Sequence, residues 1–245
     1  MHTSFAQKVS RGFTLLELLI VIAILAILAA VVIIVLNPAQ TLAQARDAQR
    51  LSDLSTIKSA ISLYMTTVSP VDLDTGVTHC LGANNTGSLI SYSETLADAT
   101  CLVNVAEGAD VDDGSLFAFT GGTSTDFCRY TATNTVVDGT GWIPVNFNNI
   151  TGGTPLSNLP LDPTNNVTDA APTSTEYAYR YACQQGTALT AGAVALPSPA
   201  FELDAVLEST KYAGTDNLDE KDGGDNTAYY EVGTSLRLIG TGTNF

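Results

Sequence analysis

Residues 11–40 read RGFTLLELLIVIAILAILAAVVIIVLNPAQ, and this stretch decides how the N-terminal part of the chain folds. Between residues 13 and 36 the side chains are apolar or small, and only Glu17 carries an ionisable group. A helix rises about 1.5 Å per residue, so a helix of this length slightly exceeds the roughly 30 Å hydrocarbon core of a bilayer. The stretch therefore predicts a membrane-spanning helix.

Three interpretations compete for this N-terminus: a cleaved secretory signal, a plain membrane anchor, and a precursor that is cut before its helix. A secretory signal needs an apolar run of about 7 to 15 residues and an A-x-A-like site. The run here is much longer, and the first such triplet lies at residues 43–45, beyond its end. A plain anchor explains the length but not Glu17, because an ionised side chain is costly in lipid.

The run from Arg11 to Glu17, with a short basic leader before it and an unbroken apolar stretch after it, resembles the class III signal of type IV pilins and pseudopilins. In that family an inner-membrane peptidase, the prepilin peptidase, cuts after the glycine. The resemblance thus implies a cut between Gly12 and Phe13 and a methylated Phe13 at the new N-terminus. A glycine also suits this position physically, since a residue without a side chain lets the extended backbone lie close to a protease's catalytic groups.

The glutamate of that family corresponds to Glu17. The resemblance implies that Glu17 pairs with the free amine of Phe13 of a neighbouring subunit in a filament, and such a buried pair can set the register between subunits. Lys8 and Arg11 precede the apolar run, which favours a cytoplasmic leader and an external globular part. The implied route runs from the inner membrane through a pilus assembly platform to a surface filament of many copies.

Asn37 and Pro38 look like a helix start in the middle of a helix. Asn37 is a good N-cap, Pro38 suits the first helical position, and Gln40 follows three residues after the cap. We expect a helix break here, about one turn later than the proline of typical family members, with the residues before Pro38 unwinding on assembly. The expected organisation is a leader at 1–12, a transmembrane and filament-core helix at 13–36, an amphipathic second half at 37–65, and an extracytoplasmic β-rich domain at 66–245.

The second half of the helix has one apolar face, which predicts packing against a globular domain. The residues of this face are Leu51, Leu54, Ile57, Ile61, Met65 and Val68. Alternating apolar and polar residues further on predict half-buried antiparallel strands. The expected strands cover residues 116–120, 127–137, 142–147, 177–183, 201–207 and 229–236. We therefore predict an α+β fold, a long N-terminal helix with its C-terminal half packed on an antiparallel sheet, as the family architecture also implies.

The four cysteines follow the apolar stretch, and none forms a C-x-x-C pair, so the sequence predicts disulfides in an extracytoplasmic compartment. Three pairings are open. Short loops close at the lowest entropy cost, which favours Cys80 with Cys101 and Cys128 with Cys183.

An acidic segment near the C-terminus offers many oxygen ligands and suggests a calcium site as an alternative to a solvated turn. The candidate ligands are Asp216, Asp219, Asp222 and Asp225. Their spacing does not match an EF-hand. Major pseudopilins carry calcium in a C-terminal loop, but the ligands cannot be matched residue by residue.

Composition and motifs exclude some function classes. The chain carries a net charge of −15, and residues 66–245 contain only five basic residues, which argues against nucleic-acid binding. Neither His2 nor His79 lies near a recognisable nucleophile motif, so we predict no enzyme. The predicted function is a structural filament subunit. The alternatives are a minor pilin, a pseudopilin of a type II secretion-like system, and a membrane-anchored adhesin that never polymerises.

Overall fold

The computed structural model describes residues 12–75, 80, 90–93, 128–129, 134–165, 176–185, 190–191, 194–195, 199–236 and 238–239. The chain divides into two compact units, Met1–Leu42 and Ala43–Phe245. Each unit is described separately below.

The first unit contains helix α1 (Leu15–Leu36). Apart from Glu17, this segment consists of Leu, Ile, Val and Ala, and it has neither Gly nor Pro to interrupt it. Its described side chains are exposed all around the helix, including Leu15 at 81% and Val35 at 75%. By length and composition, the helical run from residue 15 to residue 67 contains a segment able to cross a membrane. A helix that exposes apolar side chains on every side requires an apolar environment outside the chain.

Helix α2 (Pro38–Thr67) follows after Asn37, and its residues from Ala43 onwards belong to the second unit. Leu54, Ile57 and Ile61 on its apolar face are fully buried, as is Tyr64. These positions recur every three or four residues and therefore share one face. Met65 and Val68 pack at the margin of the same core, so the predicted apolar face is confirmed.

The main sheet of the second unit has the strand order β2-β1-β3-β6-β7. Its strands are β1 (Ile90–Tyr92), β2 (Cys128–Arg129), β3 (Arg180–Gln184), β6 (Ala200–Ala205) and β7 (Tyr230–Gly233). A separate antiparallel pair consists of β4 (Thr190–Ala191) and β5 (Val194–Ala195). The pairs β1 with β3, β3 with β6, and β6 with β7 are antiparallel, whereas β1 and β2 are parallel. The predicted α+β class is confirmed, with one parallel pair that the sequence did not predict.

One face of the sheet is apolar and shares its core with α2. Its side chains belong to a single buried cluster with the apolar face of the helix. The sheet contributes Tyr179, Tyr181, Cys183, Phe201, Leu203, Ala205 and Val232. A helix laid on one face of a sheet is the layered arrangement expected of an α+β domain.

The opposite face of the sheet is polar, yet it is buried as well. The strand registers place Arg180, Glu202, Asp204 and Glu231 on this face, and each is exposed by 2% or less. Every residue of β3 and β6 is buried. The prediction of half-buried strands is therefore wrong. Alternation indicates which face of a strand is polar, and it does not indicate whether that face is exposed to water.

Two other expected strands are wrong or lie partly outside the described residues. Residues 142–146 form bends and irregular backbone with one isolated bridge between Asp138 and Asn146, and a 3-10 helix (Phe147–Asn149) follows. Trp142 is fully buried in this turn region, and its indole N–H donates to the carbonyl of Pro160 at 3.0 Å. The expected strand at 116–120 lies outside the described residues, and only 128–129 of the expected strand at 127–137 is a described strand.

Cys80 forms a disulfide with Cys183, so the favoured pairing of Cys80 with Cys101 and Cys128 with Cys183 is wrong. The segment after α2 packs on β3, where the hydroxyl of Tyr181 donates to the carbonyl of Leu73 at 3.1 Å. The Cα atoms of the two cysteines lie 4.7 Å apart as a result. Tertiary packing outweighed the small entropic preference for short loops.

Arg50 joins α2 to two loops of the second unit. Its buried guanidinium donates to Asp162 at 2.7 and 2.9 Å, to Asp47 at 2.8 Å and to Glu208 at 2.7 Å. It also lies 4.6 Å from the ring centroid of Tyr177. One guanidinium thus binds three carboxylates and ties residues 162 and 208 to the helix.

We expect Arg50→Ala to lower the free energy of unfolding by about 3–5 kcal/mol, because it leaves buried carboxylates without their cation. Thermal and urea unfolding of the full chain in detergent micelles, followed by near-UV circular dichroism, measures this loss. Arg46→Ala is the matched control, since Arg46 also pairs with Glu208 but is 36% exposed, and we expect little change from it. Equal effects of the two variants would contradict the assigned role of Arg50.

We also expect peptide mapping without reduction to recover a peptide pair linked through Cys80 and Cys183. Their sequence separation is 103 residues, and crosslinks that close loops of this size stabilise domains by about 2–5 kcal/mol. The double variant Cys80→Ala, Cys183→Ala should lose stability in that range in the same unfolding assay. Recovery of a peptide that links Cys80 to Cys101 would contradict the structure.

Candidate functional site

The candidate site is the start of α1, from Gly12 to Glu17. Gly12, Phe13 and Thr14 precede the helix and are exposed, Phe13 at 73%. The bond between Gly12 and Phe13 thus lies in non-helical backbone, the kind of backbone that a protease can bind. A Cβ at Gly12 would have nothing within 4 Å among the described residues, so no contact described within the chain requires glycine at this position.

Thr14 and Glu17 form a reciprocal capping box at the helix start. Thr14 has extended backbone with φ −82° and ψ 148°, and its hydroxyl accepts the Glu17 N–H at 3.2 Å. The Thr14 N–H and hydroxyl both donate to Glu17 Oε2, at 2.9 and 2.8 Å. The box satisfies backbone donors that the first turn of a helix otherwise leaves free.

The position of Glu17 also suits its charge. The partial positive charge at a helix N-terminus stabilises a carboxylate in the first turn. Both hydrogen bonds from Thr14 end on Oε2, so neither of them uses Oε1. The geometry fixes the orientation of the carboxylate and leaves one of its oxygens outside the capping box.

The sequence interpretation assigned no role to Thr14, which is the main residue that it missed here. The pattern Thr14-x-x-Glu17 before an apolar run is the sequence signature of a capping box and could have identified it. An acidic side chain is unexpected in a membrane helix, so the sequence interpretation concerned Glu17 and not its spacing from Thr14. The structure brings the two residues together.

The second predicted feature of this unit is the helix break. Helix α1 ends at Leu36, Asn37 has a left-handed conformation with φ 38° and ψ 77°, and α2 begins at Pro38. The Asn37 side chain accepts the Gln40 N–H at 3.4 Å, as an N-cap does. The Thr41 hydroxyl donates to the carbonyl of Leu36 at 3.2 Å. This bond satisfies a carbonyl that would otherwise lack a donor, because Pro38 has no N–H and Asn37 is left-handed.

The four aspartates predicted as calcium ligands all follow a π-helical turn (Thr210–Thr215) of the second unit. The carboxylate of Asp222 binds backbone donors: it accepts the Gly224 N–H at 2.8 Å and the Glu231 N–H at 2.6 Å. Burial raises the pKa of Asp219 and of Asp222. Within the part of the chain that the structure describes, no group of three or more His, Cys, Asp and Glu side chains is placed to hold a metal. The calcium site stays a prediction without support from this geometry.

Comparison with known proteins bears on the N-terminal site. Residues 7–33 match the family described as the prokaryotic N-terminal methylation motif. This motif is the class III signal, and the match supports the resemblance of this N-terminus to those of type IV pilins and pseudopilins. No curated protein and no solved structure matches the chain. The match covers Gly12, Phe13, Thr14 and Glu17 and ends within α1.

We expect Thr14→Val to accelerate amide hydrogen exchange of Glu17 by roughly five-fold, because loss of an N-cap costs about 1 kcal/mol. Valine keeps the shape of threonine but removes the hydroxyl. Exchange measured by NMR on the full chain in detergent micelles tests this. Thr14→Ser is the matched control and should retain the protection, since it keeps the hydroxyl. Unchanged exchange in Thr14→Val would show that the capping box does not form.

Proposed function

We propose that this chain is a structural subunit of a type IV pilus-like surface filament. In this proposal prepilin peptidase removes residues 1–12, Phe13 becomes a methylated N-terminus, and α1 carries the subunit from the inner membrane into the filament core. The observation that carries the proposal is Glu17, a carboxylate fixed at the start of a helix whose described surface is otherwise apolar and exposed. The methylation motif at residues 7–33 surrounds it.

The surface of α1 supports a helix that exchanges one apolar environment for another. A lipid bilayer and a bundle of identical helices both remove its Leu, Ile and Val side chains from water, so transfer between them keeps these side chains away from water. Apolar contacts alone do not fix the axial position of each helix in the bundle, so such a transfer needs a polar interaction that does. Glu17 is the candidate, since no other ionisable residue lies between residues 13 and 36.

The capping box is compatible with an intersubunit ion pair. Thr14 occupies Glu17 Oε2, and the amine released at Phe13 of a neighbouring subunit binds Oε1 in the proposed filament. The helix N-terminus therefore keeps its cap while the charge of Glu17 gains a partner. Two costly charges offset each other only at the correct stagger, which makes the pair a register device.

The test compares Glu17→Gln with wild-type chain in cells that assemble the filament. Glutamine keeps the shape of Glu17 but removes its charge, so we expect at least a ten-fold loss of the chain from sheared surface filaments. We expect processing to persist, with intact mass and N-terminal sequencing of the membrane fraction giving a start at Phe13. Gly12→Val is the matched processing variant and should retain residues 1–12.

Other outcomes separate the alternatives. Unchanged surface display of Glu17→Gln together with absence from sheared filaments would support a non-polymerising adhesin and contradict the proposal. Presence in wild-type filaments at a small fraction of the total subunit would identify a minor pilin or pseudopilin. A wild-type N-terminus at Met1 would contradict the proposed cut.

A further inference from the structure

The first turn of α2, residues 38–42, joins two parts of the helical run that are stabilised in different ways. It follows α1 and Asn37 in the chain, and α2 from Ala43 onwards belongs to the second unit. Its side chains are exposed or partly exposed, and the apolar Leu42 is exposed at 60%. Among the side chains that the structure describes in this run, Ala43 is the first buried one, at 5%. We call residues 38–42 the linking turn.

The hydrogen bonds at the start of the linking turn are long. The Gln40 N–H donates to the Asn37 side chain at 3.4 Å, and the Thr41 N–H donates to the Asn37 carbonyl at 3.2 Å. Pro38 has no N–H to donate. The Thr41 hydroxyl bridges the break through its bond of 3.2 Å to the Leu36 carbonyl. Most N–H···O bonds in proteins are about 2.9–3.0 Å long, so the linking turn is weakly held.

The helix is held much more firmly at Arg46 and Asp47. The guanidinium of Arg46 donates to both carboxylate oxygens of Glu208, at 2.6 and 2.8 Å. The buried carboxylate of Asp47 accepts the N–H groups of Glu208 and Ser209, at 3.0 and 2.8 Å. Two neighbouring helical residues are thus fastened to one loop of the second unit, and local opening of α2 stops before them.

The helix before the break is held by its surroundings. The described side chains of α1 are apolar and exposed apart from Glu17, so α1 needs an apolar environment. Such an environment has no water to replace a broken backbone hydrogen bond, which makes opening of α1 costly. The linking turn reads PAQTL and does not continue the apolar run, so this protection ends at Leu36.

We propose that the linking turn is a hinge, which opens while α1 and the rest of α2 stay helical. A single helical turn without buried side chains is marginal in water, so little opposes its opening. Extension of its five residues lengthens this part of the chain from about 7.5 Å to about 17 Å. The second unit can then reorient without withdrawal of α1 from its apolar environment. The sequence prediction placed the unwinding before Pro38, whereas this hinge lies after it.

The hinge requires only that α1 lies in an apolar environment, and it does not depend on filament assembly. Amide hydrogen exchange of the full chain in non-ionic detergent micelles, followed by NMR, tests it. The informative amides are those of residues 42–45, which in a closed helix donate to the carbonyls of residues 38–41. After correction for intrinsic rates, we expect them to exchange about 100-fold faster than the amides of residues 54–57, because unpacked turns open most readily. Equal protection of the two segments would overturn the proposal.

Two variants change the hinge in opposite directions. The double variant Asn37→Ala, Pro38→Ala removes the left-handed residue and restores an N–H, so it should join α1 and α2 and slow exchange at residues 42–45 about ten-fold. Thr41→Val removes the hydroxyl bond to Leu36 and should accelerate this exchange about five-fold. Thr56→Val is the matched control, because the Thr56 hydroxyl bonds a carbonyl within the packed part of α2 at 2.8 Å. It should leave residues 42–45 unchanged.

Nitrogen relaxation of the same sample measures the reorientation directly. We expect the amides of α1, which tumble with the micelle, to report a longer rotational correlation time than those of the second unit. The double variant should bring the two correlation times together. Equal correlation times in the wild-type chain would overturn the proposal, as would faster exchange at residues 33–36 than at residues 42–45. These wild-type measurements decide the proposal even where a variant fails to fold.

Discussion

The exposed apolar surface of α1 is the constraint on which the remaining architecture depends. Its described side chains have no partner in their own unit, so this helix contributes its hydrophobic free energy only when a bilayer or other helices surround it. The second unit must consequently be stable on its own contacts. The two units thus differ in what stabilises them, and their carboxylates have different roles.

In the second unit, carboxylates are buried on the polar side of the sheet and beside α2, and each is held by a specific donor. Arg50 forms ion pairs with Asp47, Asp162 and Glu208, while Arg180 forms one with Asp204. Buried ion pairs of this kind add little net stability compared with apolar packing, but removal of one partner is costly. They therefore specify which loops cover the sheet more than they strengthen the fold.

Sequence reasoning predicted the features that depend on local chemistry. The apolar run predicted α1, Asn37 and Pro38 predicted a break, and three- and four-residue spacing predicted the buried face of α2. It failed where tertiary packing decided the outcome. The alternation around Glu202 and Asp204 predicted a solvent-exposed polar face. Nothing in the sequence indicates that residues 238–239 and the acidic turn pack on this face. Trp142 was predicted in a strand, and its true position depends on tertiary packing too. Its indole is buried in a turn region where the carbonyl of Pro160 accepts its N–H.

The candidate site was predictable to the extent that it consists of a linear motif. Gly12, Phe13 and Glu17 follow from residues 11–17, and Thr14 could have been added from the spacing of the capping box. The burial of Glu202 and Glu231 on one face was not predictable, since they are 29 positions apart and share that face only through the β6 and β7 register. A carboxylate that leaves water must find a donor. Glu17 finds two in Thr14, both on Oε2, and its Oε1 stays outside that cap. Glu202 and Glu231 find theirs in backbone N–H groups of residues 226, 238 and 239, which belong to other segments of the second unit.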